Sequence, residues 1–256
     1  MIEFLVCFLA GMGAGIGTGF AGISAAAVIS PMLVGFLNMP AYDAVGISLA
    51  SDVLASAASA YTYKKNNNID IKNGLVMMAS VLCFTVVGSI VSKLVPNTAL
   101  GFFTVFATLI MGLKFLVLPV MTTKEKILST SHTKRIVNSI IFGVIIGFIC
   151  GFTGAGGGMM MLFILTTMLG YELKTAVGTS VFIMTFTALT GAVGHFAMSG
   201  IPDLFCMAVC ICSTLLWAIV GARIANHLSA KALNRITGIV LTILGVIIIA
   251  VKYLVK

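Results

Sequence analysis

Gly15-Ile16-Gly17-Thr18-Gly19-Phe20-Ala21-Gly22 stands in the middle of an apolar run that extends from Phe4 to Leu37. A counterpart, Gly151-Phe152-Thr153-Gly154-Ala155-Gly156-Gly157-Gly158, stands in the middle of a second run of equal length, Ile136 to Leu169. As one helix either run would measure about 51 Å, against a hydrocarbon core of roughly 30 Å. Neither run is therefore one straight crossing. Glycine is a poor residue for a helix interior and frees the backbone to turn. The expected structure is a broken segment in each case, two half-length helices meeting at a glycine-rich turn.

Working outward, the remaining apolar runs are Tyr42 to Tyr63, Gly74 to Val95 and Thr98 to Met121, then Thr175 to Met198, Pro202 to His227 and Lys231 to Leu254. The 256 residues are 60% hydrophobic and only 9% charged, with a mean hydropathy of +1.17. A soluble domain carries about 25% charged residues, so a water-soluble globule is excluded and an all-α integral membrane protein is expected. The net charge of +8 is spread in short clusters between apolar runs. That is how a membrane protein sets its orientation, and no nucleic-acid partner is expected. Six cysteines, mostly inside apolar runs, imply no disulfide framework. Met1-Ile2-Glu3 lacks a basic leader region, so the first run is expected to be retained.

The chain divides into a first membrane repeat (1–121), a polar linker (122–135) and a second membrane repeat (136–256). Each repeat holds four apolar segments. A shift of 132 pairs Gly15 with Gly147, Gly19 with Gly151, Phe20 with Phe152 and Gly22 with Gly154. It also pairs Ala44-Val45-Gly46 with Ala176-Val177-Gly178, and Ser48 with Ser180. From 15 to 60, 11 of 46 positions are identical. A shift of 133 then pairs Asp70 with Asp203, Gly88 with Gly221 and Gly112 with Gly245. Clustered identities of this kind point to a duplicated unit. If each broken segment dips into the bilayer and returns, the two repeats are inverted. In that scheme one side collects eleven basic residues, among them Lys64, Lys65, Lys72, Lys174, Arg223 and Arg235, and the other only three. A parallel arrangement splits them nine to five. The excess of Lys and Arg on one side favours the inverted, re-entrant arrangement.

Irregular backbone is tolerated in a bilayer only where protein or a cavity receives its polar groups, and paired breaks in a duplicated membrane protein point to a substrate site near the midplane. The half-helix after a break offers free N–H groups and a positive dipole end, suited to an anion. Candidate substrate-binding residues are Thr18, Gly19, Gly22 and Ser24 at the first break, and Cys150, Thr153, Gly154, Gly156, Gly157 and Gly158 at the second. Ser48, Thr179 and Ser180 in the twin Ala-Val-Gly segments are candidate lining donors to an oxyanion, or bond back to a helical carbonyl. Close packing of helices would account for Gly11, Gly15 and Gly19 equally well, but explains Gly156-Gly157-Gly158 poorly.

The two glycine stretches and the twin Ala-Val-Gly-Ile/Thr-Ser segments resemble the sulfite exporter TauE/SafE family of membrane permeases, over nearly the whole chain. The resemblance implies carriage of sulfur-containing anions or small organosulfur compounds such as sulfite or sulfonates. Ala25-Ala26 stand where the second half has Gly157-Gly158, so the two half-sites differ.

Asp52 is the one acid deep in an apolar run, and an ionisable group there is a functional candidate by default. It is a candidate substrate anchor and a candidate proton carrier. Its repeat partner is Met184. His195 is a second candidate for proton coupling, weighed against an interfacial structural role. Asp43, Asp70 and Asp203 precede or open helices, where capping is the simpler role. Arg223 and Lys114 lie close to helix ends and can snorkel. Cys206 and Cys210 share a helix face, and with Cys150 and Met159-Met160-Met161 they raise a soft-metal alternative, a Cu permease; ordinary membrane-helix packing accounts for them more simply. An anion channel is the other alternative, separable from a carrier by counterflow. The expected function is secondary transport by alternating access around the two breaks, with no cofactor, no metal site and no enzymatic activity. Gly17-x-Gly19-x-x-Gly22 follows no strand and is not a dinucleotide site, and no Walker A, HExxH or GxSxG sequence occurs. Exact substrate, direction, coupling ion and oligomeric state are left open by the sequence.

Overall fold

The computed structural model describes residues 2–92, 132–153, 157–200, 202–229 and 231–239, with a few isolated positions beyond them. The described elements are helical: α1 (Ile2–Ala21), α2 (Ala26–Leu37), α3 (Ala41–Lys65), α4 (Ile71–Ser92), α5 (His132–Thr153), α6 (Gly157–Phe163), α7 (Leu173–Ser199) and α8 (Leu204–His227). One π-helical turn, Ile164–Met168, continues α6. Among the described residues four helices are long and apolar enough to cross a membrane: Ile2–Ala21, Asp43–Lys65, Leu173–Ala197 and Leu204–His227. The fourth segment of the first half and most of the linker fall outside the described residues.

The first apolar run is two helices. Gly22 has φ +60, a left-handed conformation that favours glycine. The turn answers the carbonyls that the end of α1 leaves without helical partners. Gly22 N–H donates to Thr18 O (3.0 Å) and Ile23 N–H to Gly17 O (3.3 Å). The buried Tyr63 hydroxyl donates to Gly19 O (2.8 Å). After the turn α2 folds back beside α1, so that Val28 Cγ1 lies 3.4 Å from where a Cβ on Gly13 would stand. Asn38, at φ 50, ends α2 with its N–H on Leu33 O.

Glycines set the helix pairing by letting backbones touch. A Cβ on Gly11 would stand 3.0 Å from Cys210 O, one on Gly15 2.5 Å from Thr214 O, and one on Gly19 2.6 Å from Ala218 O. Both series ascend, so α1 and α8 run parallel. Helix packing thus occupies Gly11, Gly15 and Gly19, in keeping with the alternative to a ligand role. Gly143 lies against Met77 and Ser80, and Gly147 against Val81 and Phe84, so α4 and α5 also run parallel. Between these pairs, α3 and α7 run antiparallel: Gly46 meets Phe196, Leu49 meets Gly191, and Tyr63 meets Gly178.

Two expectations are corrected. The parallel register of α1 and α8 brings Cys7 beside Cys206, and the two are disulfide-bonded with Cα atoms 5.9 Å apart. The scattered cysteines imply no such bond, because the pairing depends on a contact across a sequence separation of 199. Asp43 does not cap α3 through its side chain: Pro40 takes the N-cap position, and Asp43 falls in the first turn, where its charge complements the helix dipole. Asp203 does cap α8, accepting from Phe205 N–H and Cys206 N–H. Asp70 accepts from Asn73 N–H (3.1 Å) at the start of α4 and from the Tyr171 hydroxyl (2.9 Å).

Candidate functional site

The first break meets the start of α6 inside the protein. A Cβ on Gly158 would touch Gly22 O and stand 2.8 Å from Ser24 N and 2.6 Å from Met184 Sδ. A Cβ on Gly22 would touch Ser180 Oγ. The turn after α1, the start of α6 and the buried face of α7 are thus in direct contact. Ser24 is 8% exposed and Asp52 1%.

Asp52 holds this junction from α3. Its Oδ2 accepts from Ser24 Oγ (2.7 Å) and its Oδ1 from Ser56 Oγ (2.8 Å). The Ala25 backbone N–H, at the start of α2, also donates to it. The carboxylate therefore occupies the N-terminal end of α2, where the positive helix end favours an anion. At the equivalent place in the second half stands the neutral thioether of Met184. Ser24 Oγ also receives Ala26 N–H (3.4 Å), so the start of α2 is served by side chains of this chain.

The other sequence candidates are placed as follows. Thr18 is fully buried at the break, its hydroxyl 2.8 Å from Ile23 O and 3.0 Å from Ala14 O, which ties the turn together. Gly19 packs on α8 and gives its carbonyl to Tyr63. Ser180 donates to Val177 O (2.8 Å) while facing Gly22. Ser48 is directed at Ala44 O and Ser30 Oγ, farther along α2 from the junction. Thr179 accepts Asp70 N–H (3.1 Å), which fixes the loop before α4. His195 lies near the other end of α7, with Nδ1 3.0 Å from Gly191 O. Cys150 and Thr153 fall in the last turn of α5, and Gly157 opens α6. Gly154 and Gly156 lie outside the described residues. The structure thus gathers Thr18, Gly22, Ser24, Asp52, Gly158 and Ser180 at one place, and sets Ser48, Thr179 and His195 apart from it.

Three residues of the junction carry no sequence signal. Ser56 reads as a helix filler, although its spacing of four from Asp52 puts both on one face. Tyr63 reads as an interfacial aromatic near a helix end. Met184 is visible only as the repeat partner of Asp52. Sulfur also gathers elsewhere: Cys7, Cys206 and Cys210 are buried, with their Sγ atoms within 4.8 Å of one another. Along α1, Cys7 lies about 22 Å from Gly22 at the helical rise.

Helices of membrane-crossing length with buried serine, threonine and aspartate among them define a membrane-embedded helical protein with a polar interior. The sulfite exporter TauE/SafE family model matches residues 7–248, and the chain belongs to that family. It is 23% identical to the probable membrane transporter protein YdhB of Bacillus subtilis over 97% of this chain and all of that protein. It is 25% identical to the probable membrane transporter protein YunE of the same organism, over 95% of this chain and 96% of the relative. A probable membrane transporter protein of Haemophilus influenzae is 28% identical over 77% of this chain and 74% of its own length. No solved structure matches the chain significantly.

Proposed function

We propose that the chain is a secondary carrier of small sulfur-containing anions or organosulfur compounds, such as sulfite or sulfonates, worked by two inverted repeats whose breaks meet at Gly22 and Gly158. The observation that carries this reading is the junction itself: the turn of the first break in backbone contact with the start of α6, and Asp52 beside them. The family name supports the sulfur-oxyanion class. The inverted arrangement is supported by the antiparallel run of the counterparts α3 and α7, and the two-fold relation between the halves contact by contact. Gly11 meets Cys210 and Ser213, while its repeat counterpart Gly143 meets Met77 and Ser80, the repeat counterparts of those two partners. Gly15 with Thr214 and Trp217 corresponds in the same way to Gly147 with Val81 and Phe84.

Asp52 gives the carrier a coupling device. As a carboxylate it accepts from Ser24, Ser56 and the start of α2, the same donors an oxyanion needs. On protonation it gives up its negative charge and part of its accepting capacity, which releases donors to an incoming anion. Substrate and proton then enter together, and the loaded junction moves as the helices around the two breaks rearrange. Close packing at Gly158 supports a carrier over a permanently open channel, because backbone atoms block that point. Three sulfurs gather between α1 and α8, but Cys7 and Cys206 are joined in a disulfide and only Cys210 is a thiol, and the group stands about 22 Å along α1 from the junction, which weighs against a soft metal as the transported species.

The reading is tested in proteoliposomes. Radiolabelled sulfite, or a sulfonate in the same panel, is expected to show saturable uptake and counterflow when the vesicles are preloaded with unlabelled substrate. Counterflow of copper with none for any sulfur oxyanion would replace the substrate class. Linear, unsaturable flux would replace the carrier by a channel. Topology gives a separate expectation. Single cysteines at Asn67 and Ser229, in a background without the native free thiols, are expected to label from one side of the membrane, and one at Gly200 from the other. Labelling of Asn67 and Ser229 from opposite sides would restore the parallel arrangement.

A further inference from the structure

We propose that the ends of α3 and α8 on the basic face form a binding site for the headgroup of an anionic phospholipid. A cavity of about 500 Å³ opens between these helices. Its rim carries Lys65 and Asn66 from the end of α3, and Arg223 and His227 from α8; its wall is Ala58, Tyr61, Thr62 and Ile219. Among the described residues, none of the side chains of Lys65, Arg223 and His227 is hydrogen-bonded or ion-paired. Two permanent positive charges and an imidazole thus face one opening, and among the described residues no carboxylate lines it.

The lipid is favoured over a free anion by what lies below the charges. Leu54, Ala58, Tyr61 and Lys65 are spaced four, three and four apart, one face of α3, and Leu216, Ile219, Arg223 and His227 form the corresponding face of α8. Leu54 is 46% exposed, Leu216 56% and Val220 37%. An apolar lane therefore runs from beneath the cationic rim toward the bilayer interior, and Tyr61, 71% exposed, stands at the depth where an aromatic ring bridges chain and headgroup. A cationic cap over an apolar lane has the shape of a phospholipid with one acyl chain laid between two helices. Basic pockets between membrane helices bind anionic headgroups by this chemistry. The repeat counterparts of Lys65 and Arg223 are Ala197 and Ile90, so the cap is confined to one end of the molecule.

The experiment is native mass spectrometry of the full chain in detergent, titrated with phosphatidylglycerol, with phosphatidylcholine, and with inorganic phosphate alone. Phosphatidylglycerol is expected to be retained and phosphatidylcholine not, and millimolar phosphate is expected to leave the bound lipid in place. A cation facing an anionic lipid is worth about fivefold in affinity, so Lys65→Gln with Arg223→Gln is expected to weaken phosphatidylglycerol binding about 25-fold, while Lys65→Arg with Arg223→Lys keeps it. As an independent readout, Asn66→Cys is expected to be shielded from maleimide by phosphatidylglycerol vesicles and not by phosphatidylcholine vesicles. Equal retention by the Gln pair and the wild type, or equal labelling in both vesicles, would overturn the site. Displacement of the lipid by phosphate would replace it with a site for free anions.

Discussion

Gly158→Leu is expected to reduce transport to background while the protein still inserts in the membrane. The substitution adds apolar bulk, which the bilayer accepts, at a point where the fold has no room. Even the first carbon of the new side chain meets Gly22 O and Ser24 N, and both are backbone. Met184 Sδ is the tip of a flexible side chain and can move aside; the two backbone atoms cannot without pulling the turn away from α6. Overpacking of this kind costs about 1–3 kcal/mol, and about 2 kcal/mol removes the closed junction about 30-fold. Three measurements check it: initial uptake in vesicles, the amount of protein in the membrane, and the elution profile in detergent. Gly194→Leu is the matched control, because nothing lies within 4 Å of a Cβ there and transport is expected near wild type. Wild-type uptake by Gly158→Leu would remove the junction from the transport path. Met184→Ala should not rescue the Gly158 variant, because it relieves only the sulfur contact.

Asp52→Asn is expected to abolish accumulation driven by a pH gradient while retaining counterflow. In the proposed cycle the protonated acid admits the anion, so wild-type uptake rises as the pH on the loading side falls. One proton per monovalent anion permits about tenfold accumulation per pH unit. Asparagine has no proton to gain or lose between those conditions, and its flux is expected to be flat across the same pH series. The measurement is uptake into vesicles at fixed internal pH with the external pH stepped downward. A slope that persists in Asp52→Asn would assign coupling to another group and leave Asp52 as the clasp of the turn. Asp52→Ala goes further, since the Ser24 and Ser56 hydroxyls lose their shared acceptor inside the protein; each unmet buried group costs about 1–3 kcal/mol.

The first interruption is legible in the sequence because glycine is chemically distinctive: six glycines between Gly11 and Gly22 cannot be read as an ordinary helix interior. Asp52 is legible for a similar reason, as a lone charge in an apolar run. Its partners are not. Ser24 can be placed near the break but not aimed at a carboxylate 28 residues away, and Ser56 looks like any helix serine. Asn68 donating to Asn226, a separation of 158 residues, depends on how the end of α3 meets the end of α8, which no local pattern encodes. In the sequence Thr18 reads as a hydroxyl beside a ligand, and Ser180 either as a donor to one or as bonded back to a helical carbonyl; in the structure Thr18 answers Ile23 O at the break and Ser180 answers Val177 O within its own helix. Segment lengths and apolar composition foretell the membrane-length helices, whereas side-chain partnerships across the two halves emerge only from packing.

The parallel seam between α1 and α8 has a consequence for how the chain is made. Its two sides are separated by most of the polypeptide, since α1 ends at Ala21 and α8 begins at Leu204. At a synthesis rate of about 5–20 residues per second, the opening helix waits roughly 10–40 s in the membrane before its mate emerges. Throughout that interval its glycine stripe faces lipid or a provisional neighbour.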